Sequence, residues 1–475
     1  MKAWKLELDE LKKGVPVVLS EEEQGWSFAD QVDLVESTLS KMKWSSRVPG
    51  SGAVEHVLIA AMQDMENMGY DVHEAEALIS KGLEIVENDD IPAMAALGSR
   101  VLHLLNNAKK IENHPYWNYT VYDSFDKVKE KVNFPTYVYD ETDEKYLERT
   151  YAGWIAQICA GSAGTCIEGF TTENIRKAFG EVHGYVRNPN TFNDDITYEY
   201  AFLKALESAG EKITAADIAE QWVALVPFGW SAEEIALRNI KLGIYPPQSG
   251  YMNNPYREWI GAQMRGAVCG QVAPGNPQEA ARLAFMDGTV SHFNNGVLGE
   301  VFNAVMVSLA YVEKDVRSIV RLAIKMIPND SEYYSVVNFA LECCIKNDHW
   351  ELAWKECEKR YERYNWIHAY PNAAAEVIAL WFGEGDYEKT IHICCMEGYD
   401  VDCNAAQIAT VIGVMNGKDS VGASWVDPIG DVLNTYLRGL PTLSIRELSE
   451  WTVALGKRLR CKVKKCCEAC LCWAM

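Results

Sequence analysis

No stretch of the 475 residues reaches the ~18 uninterrupted apolar positions that a membrane-spanning helix needs. Nor does a long basic run occur before residue 460. Lysine and arginine number 45 against 67 aspartates and glutamates, a net charge of -22. A surface of that sign repels phosphate backbones and anionic lipid, which excludes non-specific nucleic-acid binding and membrane association. The opening Met1-Lys2-Ala3-Trp4-Lys5 carries charges where a signal peptide needs an apolar stretch. With no export signal, the 14 cysteines are expected to be reduced, mostly buried thiols rather than a disulfide framework, and the protein to be cytoplasmic. Period-2 alternation bounded by hairpin turns is scarce, so no large sheet is expected. No fixed-period repeat is present, which argues against a solenoid.

What the sequence does hold is helix and core. Hydrophobic residues make up 48%, enough to bury a sizeable interior, and the length allows two to four domains or one large fold with an extension. Apolar residues recur at i, i+3, i+4 over 196–206, 280–286, 301–311 and 374–381, the period of an amphipathic helix. Four regions differ in character. Residues 1–112 read as a helical N-terminal module of unknown role, with 57–65 and 93–107 its clearest amphipathic stretches and Pro92 suited to a helix start. Residues 113–145, rich in Tyr, Asp and Lys, form a connector. Residues 146–459 form one long helical unit. In the tail, 460–475, Cys461, Cys466, Cys467, Cys470 and Cys472 interleave with lysines. Thiolates at that spacing can share a metal, although no second ligand pair lies nearby and a frayed terminus explains them equally.

Three constellations carry chemistry. Asn193-Asp194-Asp195-Ile196-Thr197 and Asp400-Val401-Asp402-Cys403-Asn404 each stand directly before an apolar helical pattern. Taken singly, each reads as an ordinary helix start, since Asn caps well and first-turn carboxylates complement the helix dipole. If both ends converge, four carboxylates meet without a Lys or Arg in either motif. Such a cluster is costly unless its members protonate or bind a hard divalent cation. The third constellation is Gly153 to Gly169, where small residues at near-helical spacing allow a close helix contact and then open into a loop carrying Glu168. Tight packing accounts for every glycine there, but not for Glu168.

In this order the blocks resemble the ADP-ribosylglycohydrolase family. Gly164–Gly169 matches its Gly-x-x-x-Glu-Gly step, and Asn193–Ile196 its Thr-Asp-Asp-Thr setting. Gly261-Ala262-Gln263-Met264-Arg265 matches a Gly-Ala-x-Met-Arg helix, and Pro274-Gly275-Asn276-Pro277 with Ala280–Ala284 its Pro-Gly-x-Pro and Ala-rich helix. Ser291-His292 and Gly398–Cys403 match the remaining blocks. The resemblance covers roughly 146–459 and leaves the first 112 residues outside. It implies an all-α orthogonal helical bundle carrying an N-terminal helical extension, with a dinuclear Mg²⁺ site (Mn²⁺ being the alternative ion). Asn193, Asp194 and Asp195 would form one side of the metal site, and Asp400, Asp402 and Cys403 the other. Glu168 and Asp195 would be the catalytic residues, and His183, Gly184 and His292 would contact ADP-ribose.

The implied activity is Mg²⁺-dependent cleavage of the N- or O-glycosidic bond of ADP-ribose attached to a protein or small-molecule acceptor. This sequence departs from the pattern at Asn193 and Ile196, which replace two threonines, and at Cys403, which replaces a hydroxyl residue. Ser162 also stands where many members carry Asp. Ile supplies no ligand atom, and a thiol is poorly matched to Mg²⁺. Two further readings therefore stand beside the enzyme: a catalytically impaired ADP-ribose-binding relative, and a different divalent-metal hydrolase acting on phosphate esters.

Overall fold

The computed structural model describes residues 1–26 and 28–471, with side chains through 460. The side chains of the tail cysteines therefore fall outside those described. Helices dominate, and the described strands form two antiparallel two-stranded hairpins, Ser46–Arg47 with Val54–Glu55 and Val432–Leu437 with Leu440–Ser444. The expected all-α bundle is what folds. No described helix is long and apolar enough to cross a membrane.

The centre of the bundle is the pair formed by the Asp143–Gly164 and Val401–Asn416 helices. The second is buried along nearly its whole length and the first from Arg149 onward, so beyond the exposed start of the first neither has a solvent face, and small residues let the backbones approach. A Cβ at Gly413 would overlap the Ala152 carbonyl, one at Gly153 would lie 2.8 Å from Val414, and one at Gly164 would overlap the Asp402 backbone. The glycine spacing seen in the sequence is thus spent on this contact. Thr142 caps the first helix by accepting from Lys145 N.

Around this pair pack the Asp195–Ala209, Pro277–Gly288, Asn295–Ala310, Ala369–Gly383 and Tyr387–Glu397 helices, all contributing to one continuous apolar core. The Gly261–Arg265 block differs from the expected helix: it is a turn followed by a single 3₁₀ turn, Gln263–Arg265. Its geometry serves Arg265, whose buried guanidinium reaches Asp287 (2.5 Å), the Gly261 carbonyl (2.5 Å), Ser291 Oγ (3.0 Å) and Glu233 (3.5 Å). An isolated charge at that depth is too costly to keep, and three carboxylates surround it.

Residues 44–117 build a second core around Trp44, Met62, Met94 and Val101, completed by Ala232, Tyr256 and Trp259 of the main body. Tyr256 Oη donates to the Val57 carbonyl (3.1 Å), Trp230 Nε1 to Glu55 (2.9 Å), and Lys43 pairs with Glu234 (2.9 Å). Asp90 caps the Ile91–Asn106 helix, with Pro92 in its first turn as the sequence suggests. The Ala3–Lys13 helix buries none of its residues. The nine described cysteines are free thiols, all buried or half-buried.

Candidate metal centre and active site

Two helix starts converge. Asp195 opens the Asp195–Ala209 helix with Asp194 as its N-cap, and Asp400 is the N-cap of the Val401–Asn416 helix, whose first turn holds Asp402 and Cys403. Neither cap residue uses its side chain to cap. In the first helix that task falls to Asn193, whose Oδ1 accepts from Asp195 N (2.6 Å) while its Nδ2 donates to Asp402 Oδ2 (3.4 Å). In the second, Asp400 N donates to Asn372 Oδ1 (3.2 Å), and Asn404 donates to the same oxygen (2.8 Å). Asparagines thus hold the backbone at both helix starts, and the N-cap side chains of Asp194 and Asp400 make no capping bond, so capping alone does not explain the acidic pairs.

Asp195, Asp400 and Asp402 are buried; Asp194 and Asn193 are half-buried. Asp195 Oδ2, Asp400 Oδ1 and Asp402 Oδ1 receive no hydrogen bond from any described group. Among the described residues, no Lys, Arg or His forms an ion pair with these aspartates or with Glu168. Burial, then the charge of Asp402, pushes Asp194 up to about 6. Burial together with the neighbouring carboxylates also drives Asp195, Asp400 and Glu168 well above the usual carboxylate range. Asp402 is raised by burial too, and it lies within side-chain hydrogen-bonding reach of both Glu168 and Asp400. Carboxylates so placed require protons or a cation between them.

Glu168 follows the Asp143–Gly164 helix in a turn, half-buried, and Gly169 N donates to the Tyr399 carbonyl (2.8 Å), which fixes this loop to the segment before Asp400. Possible ligand atoms of Asp400, Asp402 and Cys403 all lie within 4.8 Å of one another. Cys403 Sγ is also 3.5 Å from Asp195 Oδ1 and 3.8 Å from Met264 Sδ; burial and then Asp195 raise the thiol, keeping it protonated. The donor set fits a hard divalent cation through its orphaned carboxylate oxygens, with Cys403 its weakest member. Ile196 is buried and offers no oxygen.

The sequence profile of the ADP-ribosylglycohydrolase family matches residues 142–459, about two thirds of the chain. The chain belongs to the ADP-ribosylglycohydrolase family. The family match makes the protein a member of a hydrolase family that acts on ADP-ribose conjugates and is typically metal-dependent. A solved structure titled "ADP-ribosylglycohydrolase-related protein complex" is 16% identical, with a TM-score of 0.47 over 66% of this chain and 99% of that one. No curated protein matches the chain.

The remaining residues expected by resemblance to this family sit elsewhere. His183 is exposed and stacks on His392 (centroids 4.2 Å apart, 10° between planes), and beside it Gly184 faces open space. His292 is wholly buried in the Arg265 cluster. Its Nδ1 is 2.7 Å from Ser291 Oγ, its Nε2 is 3.9 Å from Glu233, and burial with Arg265 nearby keeps the ring neutral. None of the described contacts of these two histidines is with Asp194, Asp195, Asp400, Asp402 or Glu168.

Glu233 is a site neighbour the sequence did not reveal. Burial pushes it up to about 7, and the charge of Asp194 adds to that rise. In sequence it is one of two glutamates in an ordinary acidic first turn, Ser231–Glu234, and nothing local distinguishes it.

Proposed function

We propose that this chain is a Mg²⁺-dependent hydrolase that releases ADP-ribose from a protein or small-molecule conjugate by cleaving its N- or O-glycosidic bond. The observation that carries this reading is the set of buried, uncompensated carboxylate oxygens at two converging helix starts, since such a set is stable chiefly with divalent cations bound. Asn193, Asp194 and Asp195 on one side, and Asp400, Asp402 and Cys403 on the other, are the proposed ligands of two ions. The ions would neutralise the site toward a diphosphate and orient the ribose hydroxyls.

The chain's own residues supply the rest. Glu168, whose carboxyl burial and the Asp402 charge push well above the usual carboxylate range, gives or takes the proton at the bond to the acceptor. Asp195, anchored at a helix start, is the second catalytic carboxylate, placed to stabilise the positive charge that develops at the anomeric carbon as the bond breaks. Phe192, exposed beside Asn193 and paired with Tyr436 (centroids 5.5 Å), offers an apolar face to the adenine. His183 and Gly184 remain proposed contacts to ADP-ribose; His292, expected there too by resemblance, is wholly buried and would act as a positioning residue through Glu233. The partition into an N-terminal module, connector, catalytic domain and tail, and a cytoplasmic location supported by the free thiols, belong to the same reading.

The test is ADP-ribose release from a panel of conjugates with Mg²⁺, Mn²⁺ or EDTA. Metal-dependent release supports the enzyme and identifies the linkage. One observation favours a second reading, an ADP-ribose-binding relative without turnover: Cys403 and Ile196 stand where hard ligands are expected. Thermal stabilisation by ADP-ribose and Mg²⁺ without release is the outcome that reading requires.

A further inference from the structure

The hairpin Ser46–Arg47/Val54–Glu55, which lies outside the family match, reaches the loop that carries Glu168. A Cβ at Gly50, in its turn, would overlap the Thr165 carbonyl and lie 3.1 Å from Glu168 Oε1. At Gly169, one residue after Glu168, a Cβ would lie 2.5 Å from that of Ala53. The turn is held from the other side as well. Arg187, in the loop between the Thr172–Phe179 and Asp195–Ala209 helices, donates to the Gly50 carbonyl (3.0 Å). Within the turn, Val48 N donates to Ala53 O (2.9 Å), Gly52 N to Val48 O (2.8 Å) and Arg47 to Gly52 O (3.0 Å). At its base, Glu55 is tied to Trp230 and Trp44 is sunk in the N-terminal core.

The geometry points to the hairpin turn, residues 48–53, as the acceptor-side wall of the site, selecting small or extended acceptors over folded protein surfaces. This rests on the reading above, in which Glu168 exchanges a proton with the leaving acceptor. A group doing so must face the acceptor, and Gly50 lies beside that group, where any Cβ would come within 3.1 Å of Glu168 Oε1. Because Arg187, Ala53 and Trp230 anchor the turn at three points, it acts as a fixed wall that a bulky acceptor meets. Gly50 is the specificity-determining position, since any side chain there collides with the Glu168 loop, and Arg187 is a positioning residue that holds it.

The test compares one ADP-ribosylated amino acid presented twice, as a free small conjugate and within a folded protein, using the full chain, Arg187→Ala, Arg187→Lys and Gly50→Ala. Releasing or displacing the turn is expected to raise kcat/KM for the protein conjugate relative to the small one by about fivefold or more in Arg187→Ala and Gly50→Ala, with Arg187→Lys intermediate. A ratio that stays constant while both activities move together overturns the wall and leaves a structural hairpin. Turnover of neither conjugate by the unaltered chain overturns the hydrolase reading itself, and is distinguishable because no ratio then exists.

Discussion

Gly164 lies against the backbone of Asp402, so close that any side chain on the glycine would occupy the space of the aspartate's Cα and N. The end of one central helix thereby sets where the other presents its carboxylates. Gly164→Ala should destabilise the fold by about 1–3 kcal/mol, the usual cost of overpacking, and also weaken divalent-metal binding because Asp402 is displaced. Gly413→Ala, at the far end of the same helix pair, should cost similar stability and leave metal binding intact. Denaturant melts and Mg²⁺ titrations of the two variants check the contrast; equal metal affinity in both would show that the contact does not position the site.

Repulsion among the buried carboxylates should appear as a pH dependence of the metal-free protein. Asp194 has a folded pKa of about 6 against an ordinary 3.8, so the folded state binds its proton more tightly than the unfolded state. Its contribution is fully present below 3.8 and is lost as pH rises through about 6. With EDTA present, thermal stability is predicted to fall across that window. With saturating Mg²⁺ the fall should be offset, because the ions bind the deprotonated set. Melting curves at steps of pH, with and without metal, decide it; stability that climbs across the window without metal contradicts the account.

Removing one charge should stabilise the empty site while destroying its use. Asp402→Asn is expected to raise metal-free stability by on the order of 1 kcal/mol, about one pKa unit of relieved repulsion. It should also abolish ADP-ribose release. A destabilised variant would mean that the carboxylate is already compensated by a partner.

Cys403→Ser replaces a soft, protonated thiol with a hydroxyl at a buried position beside Asp195 and Asp400. Mg²⁺ affinity should rise several-fold, since hard cations prefer oxygen. An unchanged affinity, read by calorimetry, would remove residue 403 from the ligand set.

Arg265 is a different case, a buried cation whose charged partners are three carboxylates. Arg265→Met leaves Asp287, Glu300 and Glu233 uncompensated and should cost about 3–5 kcal/mol. A well-folded variant of near-native stability, measured by urea melts, would show that those acids are already neutral.

How far the sequence revealed this arrangement depends on how local each signal is. The two acidic pairs and the Gly164–Glu168–Gly169 step were legible because each stands at a helix end, where capping patterns and small residues write themselves into a few adjacent positions. That the aspartates are not caps was only half legible: it depends on Asn193, the first residue of its own motif and a good cap, and on Asn372, 28 residues before Asp400. Gly50 and Arg187 are separated by 137 residues, and only the folded chain brings them together over Glu168. Gly261–Arg265 is helical by its resemblance to the family block, yet the need to satisfy a buried guanidinium wins, and the chain turns there instead. His292 illustrates the converse, a motif position whose neighbours in space, Arg265 and Glu233, enclose it completely.

The most direct test of the central claim is calorimetric titration of Mg²⁺ into the metal-free chain and into Asp402→Asn, in two buffers of different ionisation enthalpy. The account predicts saturable binding to the unaltered chain with release of protons, because carboxylates raised by burial must lose theirs to the ion, and loss of most of that binding in the variant. No binding to the unaltered chain, or binding that Asp402→Asn leaves unchanged, would contradict it.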